Sequence, residues 1–122
     1  MLKDDFYKVI SKGSTGDQSF KSTILIDKNH DIFKGHFPEI PVVPGVCMMA
    51  MVKELLADHI QKPLLLKKAS ILKFLSLINP MQHTQVDITI KYSEKEDGTY
   101  VANGSISAGE LVFFKITQAV YQ

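Results

Sequence analysis

Pro44-Gly45-Val46-Cys47-Met48-Met49-Ala50-Met51-Val52-Lys53-Glu54-Leu55-Leu56-Ala57-Asp58-His59-Ile60 is the stretch on which the fold turns. Proline suits a first helical turn, where its missing N–H costs nothing, and no further breaker occurs before Pro63, so one long helix is predicted that Pro63 closes. Val46 to Val52 are apolar around the whole circumference, and Lys53, Glu54, Asp58 and His59 bring polarity only in the later turns. Such a helix enters the protein at its start and emerges at its far end. It needs apolar partners on nearly all sides, and a strongly curved antiparallel sheet wrapped around it supplies them. The expectation is an α+β fold with the helix inside the sheet.

Outward from the helix the pattern is β. Between Phe6 and Ile26 two short apolar stretches flank the polar segment Ser11 to Asp17, which predicts two strands and a turn, with alternation clearest at Phe20, Ser22, Ile24 and Ile26. Asp31 to Gly35 is too short for an independent helix, and Pro38, Pro41 and Pro44 push their preceding residues toward extended backbone, making a shaped loop. Beyond the helix, Leu64 to Ile78 reads as a strand, and Val86, Ile88, Ile90 and Tyr92 alternate with polar neighbours. Turns at Glu94 to Gly98 and Ser107 to Glu110 bound another strand through Tyr100, Ala102, Gly104 and Ile106. The last stretch, Leu111 to Tyr121, places Val112, Phe114, Ile116 and Val120 on one face, giving about six strands in all. No repeat, low-complexity tract or linker divides residues 1–122, so one domain is expected.

Fourteen Lys and Arg against thirteen Asp and Glu leave a formal charge of +1, which removes the broad basic field of a general nucleic-acid binder. Cys47 is the only cysteine, which excludes an intrachain disulfide and a multi-cysteine zinc site and favours a reducing compartment. Met1 to Tyr7 lacks a basic region leading into an apolar stretch, so no secretory signal is read and a cytoplasmic location is expected. The longest uncharged run, Ile40 to Val52, falls well short of the ~18 apolar residues of a membrane span. His30, His59 and His83 are isolated in sequence and read as surface or loop residues, so no metal site and no cofactor are expected. Gly13 and Gly16 lack the spacing of a phosphate-cradling loop. Cys47 lies near the helix N-terminus, which can lower a thiol pKa, although a small buried core residue is the favoured reading.

The segment Gly35-His36-Phe37-Pro38-Glu39-Ile40-Pro41-Val42-Val43-Pro44-Gly45-Val46 resembles the signature of the β-hydroxyacyl-carrier-protein dehydratases of the hot-dog fold. Histidine, phenylalanine, three prolines and the final glycine fall at the family spacing. Lys73-Phe74 and Asn79-Pro80 sit where that family has a basic-aromatic strand and a further proline, without its usual Pro-Gly-Asp turn. The resemblance implies a single hot-dog domain and a place in fatty-acid or polyketide-type lipid metabolism. His36 matches the catalytic base, oriented by the carbonyl of Val42, with Phe37 and Pro41 in the supporting loop and a cis peptide at Ile40-Pro41. Gly45 matches the residue whose N–H binds the thioester carbonyl. Met48 and Met49 are core residues whose adaptable side chains also suit an acyl pocket.

Removing water from a β-hydroxyacyl thioester needs a base for the α-proton, donors for the enolate-like oxygen and an acid for the departing hydroxide. Imidazole titrates near neutrality and can accept and return a proton. The family's acid is a Glu or Asp fourteen residues beyond the histidine, acting across a dimer interface, and here that position is Ala50. The next carboxylate, Glu54, lies one (i, i+4) step later, roughly 6 Å along the helix axis. It is a candidate replacement, or else a solvated or salt-bridged residue near the helix end. The implied substrate is an acyl thioester on the phosphopantetheine of an acyl carrier protein, and Lys67, Lys68 and Lys73 form a basic group that suits such a carrier or merely protects a strand edge. A homodimer or higher homo-oligomer is implied, or a heterodimer with a Glu-bearing homologue. The alternatives to a dehydratase are a non-catalytic acyl-binding subunit and a hot-dog acyl thioesterase.

Overall fold

The computed structural model describes residues 1–35 and 40–122, with the side chain of Gly35 left aside. The elements run β1 (Tyr7–Gly16), β2 (Ser19–Ile26), α1 (Ile32–Gly35), α2 (Gly45–Ile60), β3 (Leu66–Lys68), β4 (Ile71–Phe74), β5 (Gln85–Glu94), β6 (Tyr100–Ala108) and β7 (Leu111–Tyr121). The strands form one antiparallel sheet in the order β1-β2-β5-β6-β7-β3, with β4 also pairing with β7. Period-two alternation sends one face of this sheet inward: Phe20 and Ile24 of β2, Ile88 and Ile90 of β5, Ile106 of β6, and Phe114 and Ile116 of β7 are all buried. They share one core with Met48, Met51, Val52, Leu55 and Leu56 of α2. Each such side chain stabilises the fold by roughly 1.5–3 kcal/mol relative to exposure. The expected helix against an antiparallel sheet is therefore the observed architecture.

The helix seats on β6 at a glycine. A methyl group built on Gly104 would lie 3.1 Å from Val52 Cγ1 and 3.2 Å from Ile116 Cγ2, so the missing side chain lets the helix sit this close without displacing either neighbour.

Several expectations need correction. Ser11 to Gly16 is strand rather than turn, and the reversal contracts to Asp17 and Gln18, with Gln18 at φ 52°. This edge strand is exposed over most of its length, so its polar composition carries no strand signal even though its amides pair with β2. Ile32 to Gly35 forms one helical turn, held by external contacts: Ile32 N–H donates to His30 Nδ1 (3.0 Å), and Phe33 packs on Phe6. The single strand expected over Leu64 to Ile78 is two short ones broken at Ala69 and Ser70, both paired to β7. In β7 the alternation fails twice. Register shifts against β6 bury Phe113 and Phe114 together, and Ala119 and Tyr121, not Val120, point inward after Gln118 at φ 51°.

Helix α2 also departs from the all-round burial predicted for it. Val46 is 74 % exposed and Met49 and Ala50 are half-buried, so with Lys53 and Ala57 they form an (i, i+3/i+4) stripe that the chain's own sheet does not cover. The helix stops before Pro63, at Gln61, which takes the left-handed conformation (φ 59°), while the Lys62 N–H donates to the Ala57 carbonyl.

Candidate active site

The start of α2 is built by backbone. Pro44 is extended (φ −61°, ψ 147°) and caps with its carbonyl alone, accepting from Cys47 N–H (3.0 Å) and Met48 N–H (3.3 Å). The N–H groups of Gly45 and Val46 have no acceptor among the described residues. They sit at the positive end of the helix dipole, where developing negative charge is stabilised. The approach to the helix is fixed by Val43 N–H, which donates to the Ile78 carbonyl (2.9 Å), and by burial of Val42 and Val43.

Gly45 opens onto an apolar groove of about 410 Å³ with Val42, Met48, Phe74 and Leu77 among its walls. A side chain at Gly45 would meet the Phe74 ring, since an added Cβ lies 2.8 Å from Phe74 Cε1. Phe74 itself leans on Phe114, with centroids 5.1 Å apart, and remains 53 % exposed. The groove thus unites three residues read from the sequence, Val42, Gly45 and Met48, with the aromatic ring of β4 that lies over them. Met49 sits half-buried on the uncovered stripe, beside Ala50. The peptide between Ile40 and Pro41 is trans, because no cis bond occurs among the described residues; the cis bond implied by the resemblance is not present. His36 and Phe37 lie outside the described residues.

Glu54 is buried, and it makes no salt bridge among the described residues, in contrast to the simpler expectation. It is 6 % exposed and holds the N-terminal turn: Oε1 accepts from the amides of Leu2 (3.0 Å) and Lys3 (2.9 Å) and from the Tyr7 hydroxyl (3.2 Å), and Oε2 also accepts from Leu2 (3.0 Å). Burial, followed by the Glu54 charge, pushes the Tyr7 phenol far above its usual range. Three donors converge on this carboxylate, and it is committed to structure. Sequence reasoning missed this arrangement because two of the donors are backbone amides more than fifty positions away.

Cys47 is buried as expected, but the helix end does not activate it: desolvation, reinforced by Glu54, raises its pKa. His59 is half-buried rather than freely exposed. It stacks on Phe20 with ring centroids 4.1 Å apart and meets the edge of Tyr92 at 5.6 Å. His30 bonds Asp5 and His83 packs against Phe113. Among the described residues no group of three or more His, Cys, Asp or Glu is placed to hold a metal ion. Lys67 and Lys68 of β3 and Lys73 of β4 are exposed on the outer strands of the sheet. No helix of the described residues is long and apolar enough to cross a membrane.

Residues 12–110 match the sequence model of a family described as ApeI-like, ApeI dehydratase. Among solved structures, the chain superposes on the dehydratase heterocomplex ApeI:P from Xenorhabdus doucetiae with a TM-score of 0.71 at 16 % identity, covering 93 % of this chain and 96 % of that one. An uncharacterised protein from Erwinia carotovora subsp. atroseptica gives a TM-score of 0.60 at 16 % identity, with 93 % and 94 % coverage. These likenesses establish the hot-dog fold. No curated protein matches the sequence.

Proposed function

This chain belongs to the ApeI-like dehydratase family, and on that premise we propose that it supplies the histidine half of a site that dehydrates β-hydroxyacyl thioesters carried on phosphopantetheine. The observation that carries the reading is Gly45: at a helix start whose first two N–H groups have no acceptor among the described residues, it lines an apolar groove. An acyl chain lies in the groove, and the thioester oxygen takes hydrogen bonds from the helix end as charge builds on it. His36 removes the α-proton, the electron pair moves into the thioester as an enolate, and its return forms the carbon–carbon double bond as the β-hydroxyl leaves with a proton as water.

Ala50 cannot deliver that last proton, and Glu54 is occupied by Leu2, Lys3 and Tyr7. A second hot-dog chain that bears a carboxylate completes the site in this reading. The uncovered apolar stripe of α2 and the exposed Ile71, Leu72, Phe74 and Leu75 at β4 are the surface such a chain would cover. The likeness to one chain of a dehydratase heterocomplex supports this arrangement.

The test mixes the purified chain, alone and with a Glu-bearing hot-dog homologue, with a β-hydroxyacyl thioester, and follows alkene and free thiol separately. Alkene should form with the homologue and fall ~10²–10⁴-fold in His36→Ala. Gly45→Ala should lower it ~10²-fold or more, the added methyl pressing the Phe74 ring over the oxyanion site. Ala50→Glu should raise activity of the chain alone. Thiol release without alkene would replace this reading with a thioesterase, and alkene untouched by His36→Ala would remove histidine from the mechanism.

A further inference from the structure

At the end of α2 remote from Gly45, a second recess of about 330 Å³ lies between the β1–β2 hairpin, His59 and Tyr92. Its base is aromatic, with His59 flat on Phe20 (interplanar angle 17°) and Tyr92 set edgewise at 73°. Lys12 Nζ stands 4.9 Å from the Phe20 centroid and makes no ion pair among the described residues. No acidic side chain lines the recess, while Lys12, Ser14, Ser19, His59 and Tyr92 all do.

The state of His59 decides what the recess can hold. Its Nδ1 is buried with no hydrogen-bond partner among the described residues. A buried N–H with no acceptor is costlier than a bare ring nitrogen, so the proton belongs on Nε2, the nitrogen left to the recess. Burial first, then the Lys12 ammonium, lowers the His59 pKa against the opposing pull of Asp58 on its own helix, so the ring is neutral at pH 7. The recess accordingly offers one full positive charge, one neutral N–H donor and one phenol.

We infer that this recess binds a singly charged carboxylate, paired with Lys12 and hydrogen-bonded by His59 Nε2–H and the Tyr92 hydroxyl, with its apolar portion against the aromatic rings. One cation balances one carboxylate, whereas a phosphate dianion would keep an uncompensated charge. The site shares no residue with the groove at Gly45 and stands independently of the dehydratase reading.

The test is an NMR titration of the full chain at pH 7 with sodium propionate, against sodium chloride at equal ionic strength and against inorganic phosphate. Saturable shifts are expected at the Gly13 and Gly16 amides and the His59 ring, with affinity at least about ten-fold lower in Lys12→Met. Lys12 is exposed, and Lys12→Met keeps most of the aliphatic stem, so amide signals remote from the recess serve as the check on folding. Equal shifts with chloride, or propionate binding unchanged in Lys12→Met, would overturn the site. Tighter saturation by phosphate would overturn the assignment to a carboxylate.

Discussion

Helix α2 begins and ends in opposite circumstances. Its first turns leave Val46 in solvent, the Gly45 and Val46 amides without acceptors among the described residues, and Ala50 on an uncovered stripe. Its later turns bury Glu54 under three donors and enclose His59 between Phe20 and Tyr92. A carboxylate is matched at one end and backbone donors are left waiting at the other, although the helix is continuous and its apolar residues concentrate where the donors wait. On the proposed function, stability and reaction are thereby separated along sixteen residues. Unsatisfied donors and exposed apolar surface mark the end at which reaction is proposed, and a carboxylate, the residue type usually taken for catalysis, secures the other.

The largest effect that tests this division is at Glu54. Glu54→Ala strands two amides and a buried phenol, and the chain should lose roughly 3 kcal/mol or more, read as a lowered urea midpoint with unchanged slope. Glu54→Gln should lose less, since one amide oxygen still accepts. If Glu54→Ala instead left stability intact and abolished dehydration, the carboxylate would belong to the reacting end after all. Next in size is Gly104→Ala, on β6 opposite Val52 near the middle of the helix. Its methyl would sit at 3.1–3.2 Å from Val52 and Ile116, both fully buried, and overpacking of this kind should cost about 1–3 kcal/mol in thermal unfolding.

The helix itself was legible because its signals are local: no breaker from Gly45 to Ile60 and a proline on either side. Strands β2, β5 and β6 were legible for the same reason, each having one wet and one dry face. Strand β1 was only half legible, since an edge exposed on both faces offers no alternation to read. The inward turn of Ala119 comes from a register shift of β7 against β6, a pairing property absent from either strand alone. At the site, Gly45 was legible through the resemblance of its proline-rich segment to the dehydratase signature. Phe74 above it, the anchoring of Glu54 by Leu2 and Lys3, and the stacking of His59 on Phe20 all join residues far apart in sequence, and no spacing rule reports them.

His59 gives a smaller effect with a defined sign. Its folded pKa lies below the unfolded value near 6.5, chiefly through burial and then through Lys12. The unfolded chain therefore takes up the proton first, so this contribution is complete above pH ~6.5 and declines as pH falls from there toward the folded pKa. Unfolding free energy measured between pH 7 and 5 should slope downward with acid, and His59→Gln should remove that component. A slope unchanged by the substitution would assign the acid sensitivity to other groups and open the enclosed end of the comparison.

The smallest expected effect bears on the other end. Val46 is 74 % exposed, so Val46→Ser removes almost no buried surface from the chain, and its unfolding free energy should move by less than about 0.5 kcal/mol. The same change should weaken association with a carboxylate-bearing hot-dog partner, because Val46 belongs to the apolar stripe that such a partner would cover. The two measurements separate cleanly when unfolding is followed across a range of protein concentrations. Loss that grows with concentration would mean that the folded chain already pairs with itself through this stripe, and that exposure at the start of α2 belongs only to the isolated protomer. Loss independent of concentration would mean that Val46 is packed within the single chain, and the contrast between the two ends of the helix would fail at the residue that defines it.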